Sequence, residues 1–173
     1  MSNEGIDTED KSSSTPATPR IPPFIRIPPP LLFVLTFILG TSLQHLEPLS
    51  LHSWVISTFA HEVGFALVAV GMLMALTCLC IFVWCRTTVI PHGKAEKLIT
   101  DGPYRFTRNP MYVSLVAVYL GVDGIRGEIW PLLLLPLPVI LLNYFVIPFE
   151  ECRLKQLFGA AYEQYCLNVR RWL

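Results

Sequence analysis

Two short stretches of this sequence carry the residue types that could do chemistry. Residues 102–112 read GPYRFTRNPMY, and further along Glu150 and Glu151 stand side by side with Arg153 close behind. Asn109 followed by Pro110 predicts a helix start, with Asn as the cap and Pro at the first helical position, where its missing N–H costs nothing. The N-terminus of such a helix presents unpaired N–H groups and the positive end of the dipole. With Arg105 and Arg108 beside it, it could hold an anionic group such as a carboxylate or phosphate. Tyr104, Phe106, Tyr112 and Tyr119 add flat surfaces. Glu150 and Glu151 fall where a long apolar run ends, and adjacent carboxylates at a membrane exit are expensive unless solvated or used. Arginines, a helix N-terminus, paired carboxylates and an apolar pocket between them suit a zwitterionic, cationic cofactor serving a lipid-like substrate. A plainer reading stands beside it. The arginines and aromatics would anchor the helix at lipid headgroups, and the glutamates would pair with Arg153 and Lys155 along one helix for ~0.3–0.5 kcal/mol each.

The elements that must position these residues are set by composition. Of 173 residues 53% are hydrophobic and only 15% charged, below the quarter usual for soluble domains, and the apolar residues are gathered into runs. We expect an all-α, polytopic membrane helical bundle of about four segments, over residues 31–46, 63–85, 111–122 and 129–149. The third is interrupted by Asp123 and Gly124 and is short enough to form a helical hairpin with the fourth, partly buried in protein. Pro131, Pro136, Pro138 and Pro148 predict a bent fourth helix. Gly64 and Gly71, seven apart, mark a face of the second helix where another helix could approach closely. Beyond them a C-terminal arm, 150–173, reads as an amphipathic interfacial cover, with Gly159 ending its first helix and Ala161, Tyr162, Tyr165, Cys166 and Val169 recurring near helical period.

Residues 1–30, acidic and then rich in Ser, Thr and Pro, predict a disordered tail that matches neither a secretory leader nor a myristoylation signal. All the basic residues but Arg126 lie in this tail, in the loop 86–110 or in the arm. The bias predicts a multi-pass protein with both termini cytoplasmic and the GPYRFTRNPMY loop meeting the arm on one face. A formal net charge of zero gives no field to attract nucleic acid. Cys78, Cys80, Cys85, Cys152 and Cys166 contain no CxxC, and His45, His52, His61 and His92 lack zinc-motif spacing, so no metal is expected. Membrane lipids and a lipophilic acceptor are the partners that fit.

GPYRFTRNPMY, a hydrophobic hairpin, then EE, FG, Y..Y and VRRW in that order resembles the isoprenylcysteine carboxyl methyltransferase and phospholipid methyltransferase family of membrane enzymes, in its bacterial-type form. The likeness covers roughly residues 63–173, with the polar lead-in RTTVIPHGKAEKLIT included. It implies S-adenosylmethionine as methyl donor, bound by the loop, the last helices and the arm; no Gly-rich nucleotide-binding fingerprint is present. It also implies a lipophilic or lipid-anchored methyl acceptor, such as an isoprenylcysteine carboxylate or a phospholipid amine. By position Arg108, Asn109 and Tyr112 fall on the family's Arg-His-Pro-x-Tyr element and Glu150 and Glu151 on its acidic pair. The cofactor site implied comprises Tyr104, Arg105, Arg108, Asn109, Tyr112, Glu150 and Glu151. Glu150 and Arg108, with Arg105 or Arg153, would orient the reacting partners. Asn109 replaces the usual His, and Ser114 the usual Gly, where it would crowd a close backbone approach. Two alternatives stay open: a sterol-reductase-like membrane enzyme binding NADPH, and a non-catalytic membrane adaptor.

Overall fold

The computed structural model describes residues 28–49, 54–84 and 98–173, with side chains in the second segment from Thr58 onward. Most of the expected tail, and the stretch 86–97 with Cys85, His52 and His92, lie outside the described residues.

Among the described residues the ordered elements are helical. Helix α1 spans Pro29–Leu46 and opens on proline at its first turn. Helix α2 spans Trp54–Trp84. A short 3₁₀ turn, Gly102–Arg105, precedes α3, Pro110–Arg126. The fourth apolar stretch is one path of consecutive pieces: α4 (Trp130–Leu134), α5 (Pro136–Leu141), a π turn (Leu142–Val146) and α6 (Ile147–Phe158). Helix α7, Ala160–Asn168, closes the arm. Three of these are long and apolar enough to cross a membrane: Pro29–Leu46, Thr58–Trp84 and Trp130–Phe158. The fold is therefore a helical membrane bundle.

Helix α3 is longer than its apolar run suggests. Asp123 and Gly124 do not end it; it continues to Arg126 and stops at Gly127, whose φ of 66° is the left-handed conformation that glycine adopts without penalty. The Asp123 side chain is buried inside the bundle, and one of its carboxylate oxygens has no hydrogen-bond partner among the described residues, so the helix carries it at a cost. Against α2 the contact is backbone to backbone. A Cβ placed on Gly64 would lie 2.7 Å from the Gly121 carbonyl oxygen, and one on Gly71 would lie 3.0 Å from the Ser114 carbonyl oxygen, so the small residues expected to allow close approach do so here. Opposite this seam, α3 meets α1 and the fourth path through side chains. Phe33, Tyr119, Leu135, Leu142, Val146 and Ile147 form the buried core. The edges of the Phe33 and Phe37 rings meet Tyr119, with centroids 6.1 and 5.0 Å apart, and the Tyr119 hydroxyl donates to the Pro131 carbonyl at 2.8 Å.

The end of the bundle where α3 finishes is tied by polar clasps. Thr41 donates to Glu128 at 2.9 Å, and Glu128 also pairs with Arg126. Burial works against the Glu128 charge, but these hydrogen bonds outweigh it and hold its carboxyl below the usual range. The Gln44 side-chain oxygen accepts from the Ile129 and Trp130 amides, joining α1 to the turn between α3 and α4. His61 faces the Ile125 carbonyl at 3.1 Å, a structural role. The opposite end, where α2 finishes and α3 begins, gathers the 3₁₀ turn, α6, α7 and residues 169–173.

Candidate functional site

The stretch before α3 is held by the C-terminal arm. The Arg108 amide donates to the Arg170 carbonyl at 2.9 Å. The Arg171 carbonyl accepts twice, from the Thr107 hydroxyl and from the Asn109 side-chain amide, each at 3.0 Å. Asn109 occupies the cap position with Pro110 after it, yet makes no side-chain cap bond. Its amide is spent on the arm instead, and the Thr107 hydroxyl accepts from the Asn109 amide N–H at 3.2 Å. Residues 107–109 are thereby clamped as a loop whose backbone geometry depends on residues 170 and 171.

The paired carboxylates take separate partners. On α6, Glu150 accepts from the Tyr112 hydroxyl at 2.7 Å, linking the start of α3 to the end of the fourth path. Glu151 does not settle on Lys155, as helical spacing suggested. It lies between two arginines brought from elsewhere: Arg108 at 3.2 Å, and Arg171, which binds both carboxylate oxygens at 3.1 and 2.6 Å. Each partner of the Arg108 pair has a side chain only 16% exposed, so this pair is much less screened than a surface one. An i,i+4 pair on a solvated face offers a few tenths of a kcal/mol; a bidentate fork in a partly dry site offers more, and it wins.

Arg108 also reaches the Cys166 sulfur with Nη1 at 2.7 Å, while its buried Nε has no hydrogen-bond partner among the described residues. Burial disfavours the guanidinium charge, but the neighbouring Glu151 outweighs it and the group is held above its ordinary value, so Arg108 stays cationic. Behind it lie Tyr162 and Tyr165 of α7, both buried. Burial pushes the Tyr165 hydroxyl up to about 12 and that of Tyr162 higher, so both are neutral hydrogen-bonding groups. Tyr165 donates to the Tyr104 carbonyl at 2.7 Å, and Tyr104 is itself buried with its ring edge-on to Phe82 of α2. Burial raises the Tyr104 hydroxyl as well.

Of the residues singled out in the sequence, Arg108, Asn109, Tyr112, Glu150 and Glu151 come together, and Tyr104 packs behind them through Tyr165. Arg105 does not join: it is exposed, on the turn's outer side. Arg153 is half-buried on α6, one turn beyond Glu150. Ser114 is buried without crowding its neighbours, because its hydroxyl folds back to the Met111 carbonyl at 2.6 Å and the facing residue on α2 is Gly71. Four participants escaped the sequence reading: Thr107, Asn143, Arg171 and Trp172. Asn143, in the π turn, accepts from the Trp172 indole at 3.1 Å and faces Arg171 at 3.4 Å. Its signal was available, since an amide in the middle of an apolar span asks for a polar partner.

Chemically, a cation whose Nε has no partner among the described residues, a carboxylate held by a tyrosine and a second carboxylate paired with two arginines lie together at the mouth of an apolar bundle. The phospholipid methyltransferase family model matches residues 59–161, which include the α2–α3 seam, the loop, the fourth path and the start of α7. A probable protein-S-isoprenylcysteine O-methyltransferase of Oryza sativa subsp. japonica is 34% identical over 86 residues, covering 49% of this chain and 44% of the relative. Protein-S-isoprenylcysteine O-methyltransferase B of Arabidopsis thaliana is 28% identical over 120 residues, 67% of this chain and 58% of the relative. Protein-S-isoprenylcysteine O-methyltransferase of Schizosaccharomyces pombe is 38% identical over 79 residues, 44% of this chain and 33% of the relative. The chain spans about half the length or less of most of these curated relatives. No solved structure matches it. With more than half of its length matched by the family model, and that match running through the loop and the glutamate pair, the chain belongs to the phospholipid methyltransferase family.

Proposed function

We propose that this protein is a membrane methyltransferase that uses S-adenosylmethionine and methylates a lipophilic acceptor. The observation that supports the reading is that Arg108, whose buried Nε has no hydrogen-bond partner among the described residues, pairs with Glu151 while the neighbouring Glu150 is held by Tyr112, at the junction of loop, α3 and α6. Those groups suit the carboxylate and amino group of the donor's amino-acid end. Arg108 would hold its carboxylate, and Glu150 its amino group or ribose hydroxyls. S-adenosylmethionine, when bound, supplies a methyl group on a sulfonium centre already activated for displacement. What the chain must contribute is alignment and exclusion of water, which together supply much of the rate of an in-line transfer. Arg108 and Glu150 orient, Tyr112 fixes Glu150, and the arm covers the site. A carboxylate acceptor needs no general base, whereas an amine must arrive deprotonated.

The names of the relatives make an isoprenylcysteine carboxylate the first acceptor to try, and the family name makes a phospholipid amine the second. The distribution of basic residues supports placing the site, and both termini, on the cytoplasmic side.

The test is calorimetric titration of S-adenosylmethionine, with S-adenosylhomocysteine alongside, into purified protein in nanodiscs. Saturable binding that weakens at least roughly tenfold in Glu150→Ala is expected, the loss being that of a charge-assisted contact. A folded protein that binds neither ligand, or binds NADPH instead, would sink the proposal.

A further inference from the structure

We infer that Arg171 is a positioning residue of this site: by occupying both oxygens of Glu151, it keeps Arg108 only half engaged and leaves one edge of that guanidinium free for an anionic group. The inference rests on the methyl-donor reading and adds a residue to it.

The argument is one of hydrogen-bond capacity. A carboxylate and a guanidinium left together form two parallel N–H···O bonds. Arg108 and Glu151 do not. Arg171 takes Oε1 with Nε at 3.1 Å and Oε2 with Nη2 at 2.6 Å, so the face on which both oxygens could fork Arg108 is occupied, and only a remaining lone pair of Oε1 is left to meet it. Arg108 is left with one contact to Glu151, Nη1 to Oε1 at 3.2 Å; the same nitrogen reaches the Cys166 sulfur, and its buried Nε has no partner among the described residues. A buried donor without a partner costs about 1–3 kcal/mol, so the arrangement needs something to maintain it. Without the Arg171 side chain, Glu151 would be free to turn and close the fork on Arg108, removing the edge that a ligand carboxylate would use.

Arg171 is itself held from three sides. Its Nη1 faces Asn143 of the π turn at 3.4 Å, the neighbouring Trp172 indole donates to the same Asn143 oxygen at 3.1 Å, and its carbonyl is fixed by Thr107 and Asn109. The carbonyl contacts belong to the backbone and survive a change of side chain. Substitution at this position therefore separates the guanidinium's effect on Glu151 from the arm's hold on the loop.

The experiment compares wild type, Arg171→Gln, Arg171→Lys, Glu151→Gln and the Glu151→Gln/Arg171→Gln pair in nanodiscs. It measures S-adenosylhomocysteine affinity, thermal unfolding and, with an active acceptor, the separate KM values. Arg171→Gln should weaken binding roughly tenfold, as for loss of one partner of a partly buried, hydrogen-bonded charge pair. Arg171→Lys should fall between it and wild type, since a lysine neutralises Glu151 without forking it. In the Glu151→Gln background, adding Arg171→Gln should cost no further affinity, because the residue acts through Glu151. Donor KM should rise while acceptor KM stays put. Equal losses from Arg171→Gln in both backgrounds, or a lowered unfolding temperature with unchanged affinity, would overturn the inference and leave the donor reading intact. Wild type that binds no donor analogue overturns the donor reading first and this inference with it. If Arg171→Gln does not fold, the lysine variant and the charge-balanced pair still decide the matter.

Discussion

Glu150 and Glu151 are adjacent in sequence and differ in situation. One is bonded to a tyrosine on another helix, the other sits between two arginines. Adjacent helical residues project about 100° apart, so a pair on α6 necessarily looks toward two different neighbours. For Tyr112 this has a measurable consequence. Tyr112→Phe removes the hydroxyl that donates to Glu150 and leaves the packing of the ring intact. A hydrogen bond of this kind contributes about 0.5–3 kcal/mol to the folded state, so the unfolding temperature should fall by roughly a few degrees, and donor-analogue affinity should drop as well, on the order of tenfold, because Glu150 is no longer held. Unchanged affinity by calorimetry would show that Glu150 does not need the tyrosine. The residue types themselves were legible in the sequence: Arg108, Asn109, Tyr112 and the glutamates are neighbours in space. Their partners were not. That Asn109 would serve the arm instead of capping α3, or that Glu151 would pair with Arg171 and not Lys155, depends on where a distant segment is laid down, and local spacing carries no information on that.

Helices α2 and α3 meet through glycine, and this packing has little tolerance. A Cβ on Gly64 would lie 2.7 Å from the Gly121 carbonyl oxygen and 2.9 Å from the Ile125 backbone nitrogen, atoms that cannot move aside as a flexible side chain would. Gly64→Ala should therefore destabilise the bundle by about 1–3 kcal/mol despite the better helix propensity of alanine. The lipid-facing Leu73→Ala on the same helix, a residue 67% exposed, serves as the control and should cost far less. Thermal unfolding in one detergent compares them, and equal losses would contradict the close-packed seam. Gly64 and Gly71 announced this face by their spacing. The extent of α3 was less readable, because an apolar-run criterion stops at Asp123, whereas the helix stops where a residue can take positive φ, at Gly127. The prolines of the fourth path were visible as interruptions, but the π turn that aims Asn143 at the arm has no sequence signature of its own.

At the scale of the whole molecule, the site is assembled from pieces far apart in the chain, with the membrane helices as frame and residues 169–172 as a strap across it. The helical membrane bundle was readable from hydropathy, although three helices among the described residues, and not the four expected, are long and apolar enough to cross, α3 falling short; the strap was not readable, being a short extended piece held by carbonyls of Arg170 and Arg171 that any residue type would provide. Removing residues 170–173 deletes the acceptors of Arg108, Thr107 and Asn109 while leaving α1–α7 untouched. Such a protein should keep its far-ultraviolet helical signal and lose donor-analogue binding by roughly tenfold or more, the Arg171 fork being lost as well. Retained affinity would mean that the loop holds its shape unaided. The α2–α3 seam also bears on how the proposed lipophilic acceptor would reach the site from the bilayer. Where one added methyl carbon would already press on a carbonyl oxygen, no acyl or prenyl chain can slide between the two helices, so lateral entry has to use a different face of the bundle.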